Sequence, residues 1–366
     1  MNNMPRTNTN ADAVNQDFKR FDQVDKLQRY RLSESDSDEQ FDDEFQIRTC
    51  DMAEFLHGGE AGKKRFAESL GQAMEEIGFA VLVGHGVDAA LLKRTEETVA
   101  KFFAETPEAA RQPYLAKRFG SVNQGYFPIE QTTIIFPDQV EGWVFCRRAF
   151  DMDSHGNFDE KAFWPRSGFE PMFRELIEAE QALILPVMQS ILRYLQCDPH
   201  LYDQRLTDTN YGFRLNYYPA EKTPGANSGG RMLGHEDVDL FTFLPAPSVE
   251  GLQVLNRRNM KWVRLHAPPG SIILNTGDYM QRITNDRLPS TTHRVSQPRE
   301  AAARLRDRIS FPLAIYVWED EMLEVLPGLG APKYPPVSAI SFHTHTTAKY
   351  YGAEYAVDGP DADKAK

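Results

Sequence analysis

The chain has 366 residues and only three cysteines, Cys50, Cys146 and Cys197. They are odd in number, widely spaced and lack a Cys-x-x-Cys pair, so they give no disulfide framework and read as free thiols in a reducing compartment. Long hydrophobic runs are missing too: no apolar stretch approaches the ~20 residues a membrane-spanning helix needs. The opening Met1-Asn2-Asn3-Met4-Pro5-Arg6 has no hydrophobic signal segment. Positive charge is in deficit, with 41 Lys and Arg against 53 Asp and Glu and a net charge of −12. That balance disfavours a nucleic-acid backbone as partner. There is no internal repeat and no long low-complexity tract. The expectation is a soluble, cytoplasmic protein with no nucleic-acid or membrane partner, long enough to bury a substantial core.

Residues 1–44 are polar, include the acidic run Ser33-Glu34-Ser35-Asp36-Ser37-Asp38-Glu39, and have no sustained period. A disordered tail is expected there. From Lys63 to Ile77, Phe66, Leu70, Ala73, Met74 and Ile77 recur at three and four, the pattern of an amphipathic helix stopped by Gly78. Phe79–Val83 then reads as a buried strand and Gly84-His85-Gly86 as a turn in which His85 is structural. Asp88 is placed to cap a helix carrying Leu91, Leu92, Val99, Phe102 and Phe103. Gly125-Tyr126-Phe127 and Trp143-Val144-Phe145 are aromatic segments suited either to lining a pocket or to plain core packing. A spine helix is expected over Pro171–Gln196, kinked at Pro186.

After Asp208 the texture changes. Short strand candidates follow at 213–218, 239–244, 251–255, 261–265, 271–275, 293–296 and 308–317, separated by Gly, Pro, Asn and Asp. Short strands at such spacing argue for an all-β sandwich or barrel. The fold class expected is α+β: an N-terminal, mainly helical region (45–200) with a long spine helix, packed on a double-stranded β-helix, or jelly-roll, core (201–330). A C-terminal extension covers 331–366.

The chemistry gathers at Gly234-His235-Glu236-Asp237 and Ser290-Thr291-Thr292-His293-Arg294-Val295. In a strand, positions i and i+2 share a face, so His235 and Asp237 would project together. Two histidines and a carboxylate on one face of an octahedral metal leave the opposite face open, the facial triad of non-haem Fe(II) oxygenases. Such an iron needs a co-substrate that supplies two electrons for O2 activation. A keto acid with a second carboxylate suits it, and Arg308-Ile309-Ser310 offers the cationic anchor, Arg and Ser sharing one strand face. On Phe213–Pro219, Arg214, Asn216 and Tyr218 likewise share a face of polar donors.

The ordered series Asn216-Tyr217-Tyr218-Pro219, His235-Glu236-Asp237, Gly251-Leu252-Gln253-Val254, Asn275-Thr276-Gly277-Asp278, Thr284-Asn285, Ser290–Val295 and Arg308-Ile309-Ser310 resembles the Fe(II)/2-oxoglutarate-dependent dioxygenases of the isopenicillin N synthase-like family. In the first half, Gly78-Phe79, Gly84-His85-Gly86-Val87, Phe102-Phe103 and Pro107-Glu108 extend the likeness, which runs from about Ile47 to about Gly328. The resemblance implies Fe(II) held by His235, Asp237 and His293. It also implies 2-oxoglutarate held at its distal carboxylate by Arg308 and Ser310, and nearer the metal with help from Asn216 and Tyr218. The implied activity consumes O2 and 2-oxoglutarate, releases succinate and CO2, and hydroxylates, desaturates or cyclises a small-molecule substrate, with ascorbate as a supporting reductant.

Asp237 speaks against halogenating relatives, which give up the carboxylate ligand. Glu236, a charge between the ligands, is unusual for the family and is expected to point away from iron. His343-Thr344-His345 lies outside the likeness and reads as a surface segment; His266, before Pro268-Pro269, reads as a loop residue. Two other readings stay open on sequence. One is a 2-oxoglutarate-independent Fe(II) oxidase of the isopenicillin N synthase type, which also has an Arg-x-Ser pair. The other is a catalytically silent jelly-roll binding protein.

Overall fold

The computed structural model describes residues 21–26, 40–119, 122–129, 139–146, 163–220 and 231–358. β1 (Thr49–Asp51) is followed by α1 (Gly59–Ile77), β2 (Phe79–Val83) and α2 (Ala89–Glu105). The expected apolar stripe of α1 is buried from Phe66 to Ile77. Gly78 ends the helix in the left-handed region, at φ 74°, with its N–H donating to Met74 O. A Cβ at Gly78 would also lie 2.5 Å from Pro289 O, so only glycine fits between helix and strand. Asp88 caps α2 as expected, accepting from Ala90 N at 2.9 Å. His85 is structural: Val87 N–H donates to its Nδ1 and its Nε2 reaches Gly270 O at 2.9 Å.

β3 (Lys117–Phe119), β4 (Val122–Phe127) and β5 (Glu141–Cys146) come next, then α3 (Phe169–Gln181) and α4 (Ile184–Tyr194). The spine is thus two helices, not one kinked helix. Pro186 is the third residue of α4, where it needs no N–H partner. Its ring would crowd the carbonyl four residues earlier, at Ala182, so the break falls there.

The β-rich half runs through β6 (Asn210–Tyr218), β7 (Met232–His235), β8 (Phe241–Pro245), β9 (Leu252–Asn256), β10 (Lys261–Arg264) and β11 (Ile272–Thr276). It continues with α5 (Asp278–Ile283), β12 (His293–Val295), β13 (Arg308–Ser310), β14 (Leu313–Tyr316) and α6 (Ala339–Tyr351). The single strand expected over 308–317 is broken by Pro312, which has no N–H for the ladder; its carbonyl instead accepts from Arg214 N at 2.9 Å.

Two sheets face each other. The larger is ordered β1-β2-β11-β8-β14-β6-β5-β4-β3 with β13 also on β6; the smaller is β10-β9-β12-β7. This is the jelly-roll core with helices on one outer face. Alternation on the strands sorts the two faces. Ala80, Leu82, Phe213, Leu215, Phe243, Ile272, Leu274, Ile309, Leu313 and Ile315 join the helices in one core cluster. Phe79, Val81, Tyr218, Leu244, Leu252, Val254, Ile273 and Val295 join a second cluster between the sheets. Strands buried on both faces read as nearly continuous apolar runs, which is why they stood out in the sequence.

Parts of the expected tail are docked. Asp42 N–H donates to Trp262 O and Arg264 pairs with Asp43 at 2.7 Å, so residues 40–43 lie along β10. Residues 21–26 strap the far side: Gln23 Nε2 donates to Phe342 O (2.6 Å) and Thr346 Oγ1 (2.7 Å) of α6, and Lys26 pairs with Asp278. The rest of 1–44 lies outside the described residues. Cys50 and Cys197 are free thiols. Among the described residues no helix is long and apolar enough to cross a membrane.

One buried group works against the fold. Glu180 on α3 is fully buried, and neither carboxylate oxygen has a hydrogen-bond partner among the described residues. Burial pushes its carboxyl well above the ordinary range, so the folded chain holds its proton more tightly than the unfolded one. Stability is therefore lost as pH rises above the unfolded carboxyl value of about 4.3. Glu180→Met should raise the thermal unfolding midpoint, and its gain over wild type should widen from about pH 5 to about pH 8. A gain independent of pH, or a loss, would contradict a neutral buried Glu180.

Candidate active site

The register of β12 on β7 sets His293 directly opposite His235. Their ring centroids are 4.4 Å apart. His235 Nε2 is 3.7 Å and His293 Nε2 3.9 Å from Asp237 Oδ1, so three possible ligand atoms converge, all within 4.8 Å of one another. The local reason differs from the expected one. β7 ends at His235, and Asp237 lies in the connection to β8 rather than on a shared strand face. Its backbone holds it instead, with Asp278 N–H donating to Asp237 O at 2.8 Å.

Each imidazole is fixed by its other nitrogen. His235 Nδ1 lies 2.9 Å from Leu233 O, and His293 Nδ1 lies 3.1 Å from Thr291 O. A carbonyl only accepts, so Nδ1 bears the proton and Nε2 presents a lone pair, the tautomer a metal ligand requires. Phe79 packs edge-on against His293 at 5.3 Å. Burial, then the neighbouring His293, push the His235 imidazole down to about 4, so it is neutral at ordinary pH.

Burial pushes the Asp237 carboxyl up, but His293, His235, Asn275 and Thr242 together hold it below its ordinary value. Asn275 Nδ2 and Thr242 Oγ1 both donate to Oδ2 at 2.8 Å, leaving Oδ1 toward the histidines. Thr242 Oγ1 is also 2.6 Å from Asp239 Oδ2. One hydroxyl has one proton, so one of these bonds runs the other way. Burial and the Asp237 charge raise the Asp239 carboxyl well above its usual range and make it that donor. The donor set suits a divalent cation: two imidazoles with Nδ1 tied to a backbone carbonyl and Nε2 aimed inward, and an ionised carboxylate whose rear oxygen is already bound. Asn275 stood in one of the sequence motifs without a role, and Asp239 and Thr242 were not singled out, although Asp237-x-Asp239 repeats the spacing of His235-x-Asp237.

A cavity opens from the triad between the sheets. At one end stand Arg308 and Ser310, joined at 3.4 Å, with β13 pairing Arg308 to Tyr218 and Ser310 to Asn216. The Arg308 guanidinium lies over the Tyr218 ring at 4.9 Å. Tyr218 thus stands beside Arg308, whereas the sequence expectation set it nearer the metal. Arg308 is 1 % exposed, its Nε has no partner, and no carboxylate of the described residues pairs with it. A desolvated guanidinium without an anion is costly. This end of the cavity fits the carboxylate of a bound acid. Asn216 lines the wall between, its amide oxygen buried and unpartnered.

At the other end the walls are Gly212, Arg214, Val144, Ala314, Tyr316, and from α6 His343 and Thr347. His343 is 7 % exposed and packs edge-on against Tyr316 at 5.4 Å, so it is no surface residue. His345 is half-buried and pairs with Asp358 at 3.3 Å. Glu236 is buried: Thr292 Oγ1 donates to it at 2.5 Å and Lys349 of α6 stands 3.9 Å away. Trp143, Phe145 and Tyr126 belong to the helix-side core instead of the cavity, and Phe127 supports Arg214 from behind. On β5, Val144, between the two aromatics, faces the cavity.

Residues 209–315 match the 2OG-Fe(II) oxygenase superfamily, and residues 47–167 match the family described as non-haem dioxygenase in morphine synthesis N-terminal. Gibberellin 3-beta-dioxygenase 1 of Oryza sativa is 31 % identical over 72 % of this chain and 68 % of its own length. A 2-oxoglutarate-Fe(II) type oxidoreductase, ppzD, of Metarhizium rileyi is 26 % identical over 85 % of this chain and 93 % of its own. Neurospora crassa T7H, solved in complex with alpha-KG and thymine, superposes with a TM-score of 0.74 at 24 % identity, covering 83 % of this chain and 97 % of that one. With the converging His–Asp–His set and the buried, unpaired arginine, these matches identify the chain as a member of the 2-oxoglutarate–Fe(II) oxygenase superfamily, a non-haem dioxygenase that uses Fe(II), 2-oxoglutarate and O2.

Proposed function

We propose that His235, Asp237 and His293 are the iron ligands, that Arg308, Ser310 and Tyr218 grip the distal carboxylate of 2-oxoglutarate, and that the reaction hydroxylates a C–H bond of a small molecule. The observation that supports this best is the buried Arg308, in the same cavity as three converging ligand atoms and without a carboxylate partner among the described residues. Asn216 extends its amide along the wall between the two, suited to the keto-acid half of the co-substrate. Bound there, 2-oxoglutarate would supply two of the four electrons that reduce O2 at Fe(II), leaving as succinate and CO2, and the substrate C–H bond would supply the other two.

The chain's own residues do the rest. Leu233 O and Thr291 O keep both imidazole protons away from the metal side. Thr242 and Asn275 keep Asp237 turned, so that one oxygen serves the metal. Leu244, Leu252, Val295 and Phe79 make the cavity wall apolar, which excludes water from the oxidising centre and strengthens each charge contact inside it. The superfamily match and relatives named as 2-oxoglutarate-Fe(II) oxidoreductases favour this reading over a 2-oxoglutarate-independent oxidase, and the intact His–Asp–His set favours it over a silent binding protein.

Asp237→Ala should abolish Fe(II) binding and turnover while leaving the unfolding midpoint near that of wild type; near-normal activity would refute the ligand assignment. Arg308→Ala removes the charge partner of a buried carboxylate, a loss on the order of 2 kcal/mol or more. The 2-oxoglutarate concentration for half-maximal succinate release should rise at least roughly tenfold, and an unchanged requirement would point to a co-substrate held elsewhere. Gly277 backs the ligand loop: a Cβ there would lie 2.1 Å from Asp239 Oδ1, 2.6 Å from Asp239 O and 2.8 Å from Asp237 O. Gly277→Ala should therefore weaken Fe(II) binding with secondary structure retained by circular dichroism. Wild-type affinity in that variant would show that the loop does not depend on this contact.

A further inference from the structure

The cavity holds a second guanidinium that the iron and 2-oxoglutarate assignments leave unused. Arg214 is on β6, four residues before Tyr218 and on the same strand face. At about 3.3 Å per residue the two positions are roughly 13 Å apart along the strand. Because Tyr218 is paired with Arg308, Arg214 and Arg308 sit toward opposite ends of the cavity. Arg214 is half-buried, stacked on Phe127 at 4.9 Å, and its Nε is buried without a partner. Its side chain has no ion pair or hydrogen bond among the described residues.

Its surroundings are those of a small pocket. Gly212, next on the same face, leaves room for the Tyr316 ring; a Cβ there would approach that ring to 3.1 Å. Tyr316 meets the His343 edge at 5.4 Å, and Thr347 completes the α6 wall. Charge points the same way. With iron and dianionic 2-oxoglutarate bound beside Asp237, Arg214 and Arg308, the cavity keeps one positive charge in excess. The Glu236–Lys349 pair adds none. One negative charge on the substrate would neutralise it.

We propose that Arg214 anchors the substrate and that the substrate is an organic monocarboxylate, its carboxylate on the Arg214 fork and its hydrocarbon body against Tyr316 and His343. A guanidinium takes a carboxylate through two parallel hydrogen bonds, which fixes orientation as well as affinity. The anchor then determines which C–H bond reaches the metal. This inference rests on the iron and 2-oxoglutarate assignments above.

The test uses the full chain loaded with Mn(II) and 2-oxoglutarate, so that binding is read without turnover. Acids and their primary amides of matched skeleton are titrated calorimetrically: benzoate, phenylacetate, 3-phenylpropionate, cyclohexanecarboxylate and hexanoate, each against its amide. At least one acid should bind roughly tenfold or more tighter than its amide. Arg214→Met should erase that preference and Arg214→Lys keep part of it, both variants holding Mn(II) and 2-oxoglutarate as wild type does, which also reports their folding. The proposal is overturned if no acid outbinds its amide, or if the preference survives in Arg214→Met. It is equally overturned if Arg214→Met weakens 2-oxoglutarate as Arg308→Ala does, which would make Arg214 part of the co-substrate site. If the wild-type protein itself fails to bind Mn(II) and 2-oxoglutarate, the iron and co-substrate assignments fall, and this inference with them.

Discussion

Two backbone carbonyls, those of Leu233 and Thr291, determine which nitrogen of each active-site histidine faces inward. Each lies two residues before its histidine, Leu233 on β7 and Thr291 in the segment that leads into β12, and the two strands pair so that His235 and His293 are direct neighbours. The tautomer is therefore set by each histidine's own backbone, and strand register brings the two rings together. A one-residue slip of β12 on β7 would turn His293 to the other face of the sheet and remove it from Asp237 altogether. Burial of Val295 and Leu252 in the layer between the sheets holds the register, so the apolar core and the ligand geometry have a common cause.

This explains how much of the site was legible. The ligand residues lie within motifs flanked by strands, and strand alternation links sequence spacing to a face. Arg308-x-Ser310 and Asn216-x-Tyr218 follow that rule: Ile309 and Leu215 go to the helix-side core, while their neighbours face the cavity. His235-x-Asp237 does not, since the strand ends at His235; the backbone bond from Asp278 to Asp237, between segments distant in sequence, does the positioning. No local pattern announces that contact. Tyr218 shows a similar limit: its face was readable, but its level along the cavity depends on pairing with β13.

The burial of His343 and the docking of residues 21–26 were not legible in the sequence for a physical reason. The sequence of α6 mixes His, Thr, Lys and Tyr without a clean apolar stripe, and β-branched threonines are poor helix formers. In place, the Thr344 and Thr347 hydroxyls donate to the carbonyls of Ile340 and His343, and the helix is held by its surroundings. Gln23 reaches Phe342 and Thr346 on α6, Arg282 donates to Gln23 O, and Lys349 faces Glu236 between the two ligands. Each of these is a long-range polar contact in which a single residue matters, so it leaves no periodicity to detect. The cavity thus has two kinds of wall: one fixed by sheet register, the other supplied by a helix that depends on contacts with an N-terminal strap.

Location decides how an unsatisfied buried group should be interpreted. Glu180, Arg308, Arg214 and Asn216 all bear buried polar atoms without partners among the described residues. Glu180 lies within a helix that packs on the outer core and does not line the cavity at the triad, and its carboxyl can relieve the cost by holding a proton. A guanidinium has no such escape at ordinary pH, because it cannot give its proton up. Arg308 and Arg214 both open on the same cavity, where a bound anion can offset the cost that folding leaves behind. The two arginines therefore mark where the chain expects negative charge from outside itself, at either end of the space around the proposed metal ligands.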